Sequence, residues 1–158
     1  MAQIKKDINP PVALEQLKNH LHMFTDDFDS SLELNLRAAI ATAESYINGR
    51  IWHGELTESV PFENTVTVGD LSAEVTSVKV DGTDVNFTFA NGVIHVDGQG
   101  KELAYTATVG YISQDCPADI QMAILLIAAK FFNNPVDGVQ NLPSVSEHLL
   151  HPYRNYCA

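Results

Sequence analysis

Apolar residues near the start of the chain recur at helical spacing. Leu14, Leu17 and Leu21 lie on one stripe at intervals of three and four residues. They follow Asn9-Pro10-Pro11, in which a cap-type residue precedes two prolines suited to a first helical turn. This pattern predicts a first helix that begins near Pro10 and ends near His22–Phe24.

A second and longer helix is predicted after a polar, acidic break. Ser30-Ser31-Leu32-Glu33 fits a capping box, with Ser30 as the cap and Glu33 three residues later. Apolar residues then continue at helical spacing from Leu32 to Ile47, and Asn48-Gly49 supplies a typical helix end.

Between about residues 60 and 110 the apolar positions alternate instead. Val85, Phe87 and Phe89 alternate with polar residues and lead into Asn91-Gly92, after which Val93 begins another apolar run. An Asn-Gly pair between alternating runs is a strong hairpin signal. We therefore predict an inserted antiparallel β unit at about residues 60–110.

Helical spacing returns after Pro117. The run Ile120–Phe132 is apolar almost all round, and at 1.5 Å per residue it spans only about 20 Å, too short for a bilayer of about 30 Å. We interpret it as a buried core helix. The segment Pro135–Leu142 is predicted to be a loop, and Pro143-Ser144 to open a last short helix.

Together these elements predict a single α+β domain over residues 1–158 that is mainly α. Its helical core, a small bundle of about four helices, comprises residues 10–50 and 115–154 around the inserted β unit. A chain of 158 residues is long enough to bury one ordinary core.

The charge balance argues against nucleic-acid binding. The net charge is −11, and the nine basic residues are scattered, with Lys5-Lys6 the only adjacent pair. Binding phosphates requires clustered lysine and arginine. Cys116 and Cys157 are far apart in sequence and match neither a disulfide framework nor a zinc pattern.

No residue pattern indicates catalysis. His148 and His151 lie three residues apart, but a zinc HExxH motif needs a spacing of four, and no further ligand stands at a familiar distance. The aspartates between residues 26 and 29 lack the glycine and the other positions of a calcium loop. We predict no catalytic residue, no metal and no cofactor, and the protein is not expected to be an enzyme.

The chain end raises a different question. Leu149, Leu150, Tyr153 and Tyr156 make it too apolar to lie loose in water, so it either docks on its own domain or contacts a neighbour. Trp52 has two similar interpretations: an anchor in an interface, or, as we favour, a plug between the helices and the β unit.

In this order of elements the sequence resembles the head–tail connector (adaptor) proteins of tailed bacteriophages, in a subgroup with a β insertion. The resemblance covers about residues 12–154. Its motifs are LEQLKNHL at 14–21, LRAA at 36–39 with Tyr46, YTATVGY at 105–111, PADIQMAILL at 117–126, and Leu142-Pro143 followed by LLHPYR at 149–154.

The resemblance implies a structural protein that forms a ring below the portal, extends the DNA channel and docks a stopper or tail-completion protein. Double-stranded DNA would pass through without specific binding, and no membrane is involved. The protein would reside at the head–tail junction of the virion after assembly in the host cytoplasm. We expect Tyr153, Arg154 and Tyr156 to contact a neighbouring subunit or the portal, with Trp52 as a further candidate. The alternative is a non-viral intracellular binding module that forms a small oligomer.

Overall fold

The computed structural model describes residues 2–70, 73–135 and 141–156. Within these ranges the helices are α1 (Leu14–His20), α2 (Asp29–Ile47), α3 (Ala118–Asn133) and α4 (Ser144–Leu150), followed by a 3-10 turn (His151–Tyr153). The strands are β1 (Gln3–Lys6), β2 (Gly54–Pro61), β3 (Thr65–Thr67), β4 (Glu74–Val80), β5 (Thr83–Asp84), β6 (Thr88–Ala90), β7 (Val93–His95) and β8 (Glu102–Val109).

The helices share one hydrophobic core. The long helices α2 and α3 pack against each other, and α1 and α4 both pack onto this pair. Leu17, Ile40, Ile124 and Leu150, one from each helix, are fully buried in it. The apolar run in α3 therefore lies at the centre of the helical part, as its composition predicts.

The strands form two antiparallel sheets around a second core. Their orders are β1-β2-β8-β4-β5 and β3-β7-β6. Val78 and Leu103 of the larger sheet and Ile94 of the smaller one belong to the same buried cluster. The predicted α+β class is confirmed. With 35% helix and 27% strand, the expected predominance of helix and the helical bundle are not confirmed.

Both N-terminal helix starts differ from the prediction. The first helix begins at Leu14 rather than Pro10, with Gln16 Oε1 accepting a hydrogen bond from the Ala13 backbone N–H at 2.9 Å. The second begins at Asp29, and the predicted Ser30 cap is wrong, because the N-cap position is Phe28 and no side chain caps the helix. Its predicted end at Ile47 is confirmed, with Asn48 in the left-handed conformation.

The β part begins earlier than expected and includes a strand from the chain start. β2 starts at Gly54, and β1 pairs with it along Gln3–Lys6. The predicted hairpin is confirmed: Asn91 and Gly92 both have positive φ between β6 and β7. Most of the predicted loop at 135–142 lies outside the described residues. No helix in the described ranges is long and apolar enough to cross a membrane.

Candidate assembly surfaces

The C-terminal segment is held on its own domain by Asn155. This side chain is 5% exposed, and its Nδ2 donates to the Gly69 carbonyl at 2.6 Å, while its backbone N–H donates to the Ile47 carbonyl at 2.7 Å. Asn48 Nδ2 in turn donates to the Asn155 carbonyl at 3.2 Å. The chain end is thus fixed where α2 ends and beside the approach to β4.

The apolar side chains before Asn155 face inward. Leu150 is fully buried, and Leu149 and Tyr153 are partly buried against the helical core. Desolvation raises the pKa of the Tyr153 hydroxyl, and the negative charge of Asp119 adds to this effect. Tyr153, one of the predicted contact residues, therefore packs largely on its own subunit.

Arg154 and Tyr156 point outward. The Arg154 guanidinium lies 5.0 Å from the ring centroid of Tyr46 and 5.4 Å from that of Tyr156, within the range of cation–π attraction. Tyr156 is 66% exposed, and its hydroxyl lies 3.4 Å from the His151 ring nitrogens. We call Tyr46, Arg154 and Tyr156 the arginine–tyrosine patch.

Trp52 lies at the junction of the two parts of the chain. Its Nε1–H donates to the Asp7 carbonyl at 3.0 Å, and the Lys6 ammonium lies 5.0 Å from its ring centroid. The ring is partly buried against the helical core, and it borders an apolar depression of about 250 Å³ that also includes Ile8 and Leu14.

A second exposed apolar surface lies near the start of α2 and was not identified from the sequence. Phe28, Leu34, Phe131 and Phe132 line a wide depression of about 670 Å³. The Phe28 and Phe132 rings meet edge to face at a centroid distance of 6.0 Å, and Leu34 is 68% exposed. We call these four residues the phenylalanine patch. The one sequence feature that could have indicated this surface is Leu34, an apolar residue that lies off the buried stripe of α2.

The acidic break before α2 is organised by a buried lysine. Lys18 is only 7% exposed, and its Nζ lies 2.6 Å from Asp26 Oδ1 and 3.0 Å from Asp29 Oδ1. Hydrogen bonds to these two carboxylates raise the pKa of Lys18 to about 12, and the Lys18 contact lowers the pKa of Asp26. These aspartates serve as ion-pair partners.

The polar groups in the cleft between α2 and the sheet are also paired internally. Glu44 Oε1 accepts hydrogen bonds from the Ile51 and Trp52 backbone N–H groups at 2.9 and 3.0 Å, and the Tyr105 hydroxyl donates to Glu58. This cleft has a volume of about 490 Å³. Among the described residues, no group of three or more His, Cys, Asp or Glu side chains could hold a metal ion.

No family model matches the sequence, and no curated protein matches it. Solved structures do match. The fold is similar to that of chains from gene transfer agent particles. A chain in the neck of an empty particle, computed with C6 symmetry, superposes with a TM-score of 0.79 at 17% identity, covering 99% of this chain and 97% of that one.

Two further structures agree with this likeness. A chain in the neck of the native particle, computed with C12 symmetry, and a chain in the native virion each give a TM-score of 0.77 at 18% identity. Both cover 99% of this chain and 97% of the other. At this level of identity the likeness is one of fold.

Proposed function

We propose that this chain is a structural subunit of the neck of a phage-like particle, where it forms a ring between the portal and the tail. The observation that carries the proposal is the fold similarity over 99% of the chain to chains from the necks of gene transfer agent particles. Those necks were computed with C6 and C12 symmetry, which is the symmetry of closed rings.

The surface of the subunit supports assembly rather than catalysis. Exposed large apolar side chains occur on several elements: Ile8, Phe24, Phe28, Leu34, Ile112, Met122, Val145 and Tyr156. Exposed apolar and aromatic side chains are typical of the contacts by which subunits associate. In a ring, each subunit needs two different contact surfaces, and the phenylalanine and arginine–tyrosine patches provide two.

The charge of the chain fits a channel that DNA passes through. A net charge of −11 with basic residues scattered along the sequence disfavours the binding of phosphates. DNA would therefore slide through the ring without being held. The ring would extend the portal channel and offer its far face to a stopper or tail-completion protein.

The proposal is tested by binding to the cognate portal protein. We expect the purified chain to sediment with portal rings in a saturable manner. Absence of portal binding combined with a fixed small oligomer would contradict the proposal and favour a stand-alone binding module.

A further inference from the structure

We infer that the arginine–tyrosine patch of one copy binds the phenylalanine patch of the next copy, an inference that rests on the proposed ring. These are the two surfaces that would meet at each contact between neighbouring subunits of the ring. The occupant of each patch is a second copy of this chain.

The phenylalanine patch is apolar with acidic charge at its border. Phe24, in the loop that leads into the patch, is 84% exposed, and Phe28 follows at its edge. Between them Asp26 is paired with Lys18, whereas Asp27 is exposed and has no ion pair with any described residue. This surface therefore presents aromatic rings and an available carboxylate.

The arginine–tyrosine patch has the complementary chemistry. Arg154 has no carboxylate partner in the described part of the chain, and its guanidinium is accompanied only by the Tyr46 and Tyr156 rings. In a chain with a net charge of −11, an exposed arginine that has no carboxylate partner among the described residues is one of few groups that attract an acidic surface. Arginine and tyrosine are also the side chains most often found at the centre of protein contacts.

The two patches lie toward opposite ends of α2. Leu34 in the first and Tyr46 in the second are twelve residues apart, which corresponds to a rise of about 18 Å. In the head-to-tail arrangement of the proposed ring, the contact between these two different patches is heterologous, and every pair of subunits keeps one free patch of each kind. A head-to-tail contact of this kind can close into a ring by rotation, whereas a two-fold dimer would form the same contact twice and leave neither patch free.

The contact is tested by cross-linking single-cysteine variants of the full chain. Asp27→Cys and Arg154→Cys are each made in a Cys157→Ser background, and Cys116 stays in place because it is buried. The two variants are mixed and treated with a short bismaleimide. A mixture of Asp27→Cys with Lys101→Cys in the same background serves as the control.

We expect a covalent dimer in the Asp27→Cys and Arg154→Cys mixture that is absent from the control mixture and from each variant alone. A double variant with both cysteines on one chain should give a ladder of higher oligomers. Equal cross-linking in the test and control mixtures would overturn the inference. Rings of the wild-type protein seen together with that negative result would leave the proposed function standing and reject only this contact.

Discussion

The side chain of Asn155 donates a hydrogen bond to the carbonyl of Gly69, at 2.6 Å, and so joins the chain end to the segment before β4. Its backbone N–H is bonded at the same time to the last residue of α2. The apolar C-terminal segment is thus docked on its own domain as far as Asn155. Beyond it the exposed Tyr156 ring remains available to a neighbour.

Asn155→Ala should lower the free energy of unfolding by about 1–3 kcal/mol, because the substitution leaves the Gly69 carbonyl without this donor in a largely buried site. Urea unfolding followed by circular dichroism measures the change. Tyr156→Ala is the matched control, since its exposed ring should contribute less than about 0.5 kcal/mol to stability. Equal stability of the two variants would contradict the docking role of Asn155.

Tyr156→Ala and Arg154→Ala should retain the fold and weaken self-association. Both side chains are exposed, and removing an anchor of a protein contact typically costs about 2 kcal/mol or more of binding free energy. Sedimentation velocity across a concentration series measures the change in self-association. Deletion of residues 152–158 is a poorer test, because it also removes the hydrogen bonds of Asn155. Wild-type association by both variants would exclude the arginine–tyrosine patch as a contact.

The ion pair of Lys18 with Asp26 should make stability depend on pH in the acid range. The pKa of the Asp26 carboxyl in the folded protein lies below its ordinary value of 3.8, because Lys18 favours the charged form. The contribution of the pair is therefore fully present above pH 3.8 and is lost as the pH falls through the lower folded pKa.

Asp26→Asn should accordingly unfold at lower urea concentration than wild type at pH 7. The difference between the two urea midpoints should shrink as the pH falls below 3.8. Asp27→Asn is the control, because Lys18 makes its ion pairs with Asp26 and Asp29. An equal difference between the urea midpoints of Asp26→Asn and wild type at pH 7 and at pH 3 would show that the carboxylate charge of Asp26 does not stabilise the fold.

Gly110→Ala should destabilise the protein more than Gly82→Ala. Both glycines have positive φ, so each substitution carries a backbone strain of about 1 kcal/mol. At Gly110 an added Cβ would also clash with the Trp52 carbonyl oxygen, whereas at Gly82 nothing lies within 4 Å of it. Thermal unfolding of the two variants gives the comparison, and equal losses would contradict the close approach of Trp52 to this turn.

The strongly patterned elements could be predicted from the sequence. Asn91-Gly92 indicated a hairpin because a two-residue turn with two positive φ values favours that pair, and the apolar run of α3 required burial. β1 could not be predicted, because Gln3–Lys6 is short and polar and becomes a strand only by pairing with β2. Helix and strand boundaries set by such tertiary pairing carry no local signal.

Only some of the residues in the candidate surfaces could be identified from the sequence. The terminal aromatics were visible as unexplained apolar residues, and in the structure Arg154 and Tyr156 are exposed. The phenylalanine patch was missed because it joins residues of α2 and α3 that are about a hundred positions apart. Lys18 was missed because lysine is rarely buried, and its burial depends on Asp26 in the following loop and Asp29 at the start of α2.

Negative-stain electron microscopy of the purified protein across a concentration series, with light-scattering mass on the same samples and in the presence of the cognate portal, tests the central claim most directly. We predict closed rings with an open centre and rotational symmetry, formed by the protein alone at high concentration or on the portal at lower concentration. A fixed dimer or monomer that forms no ring under either condition would contradict the account.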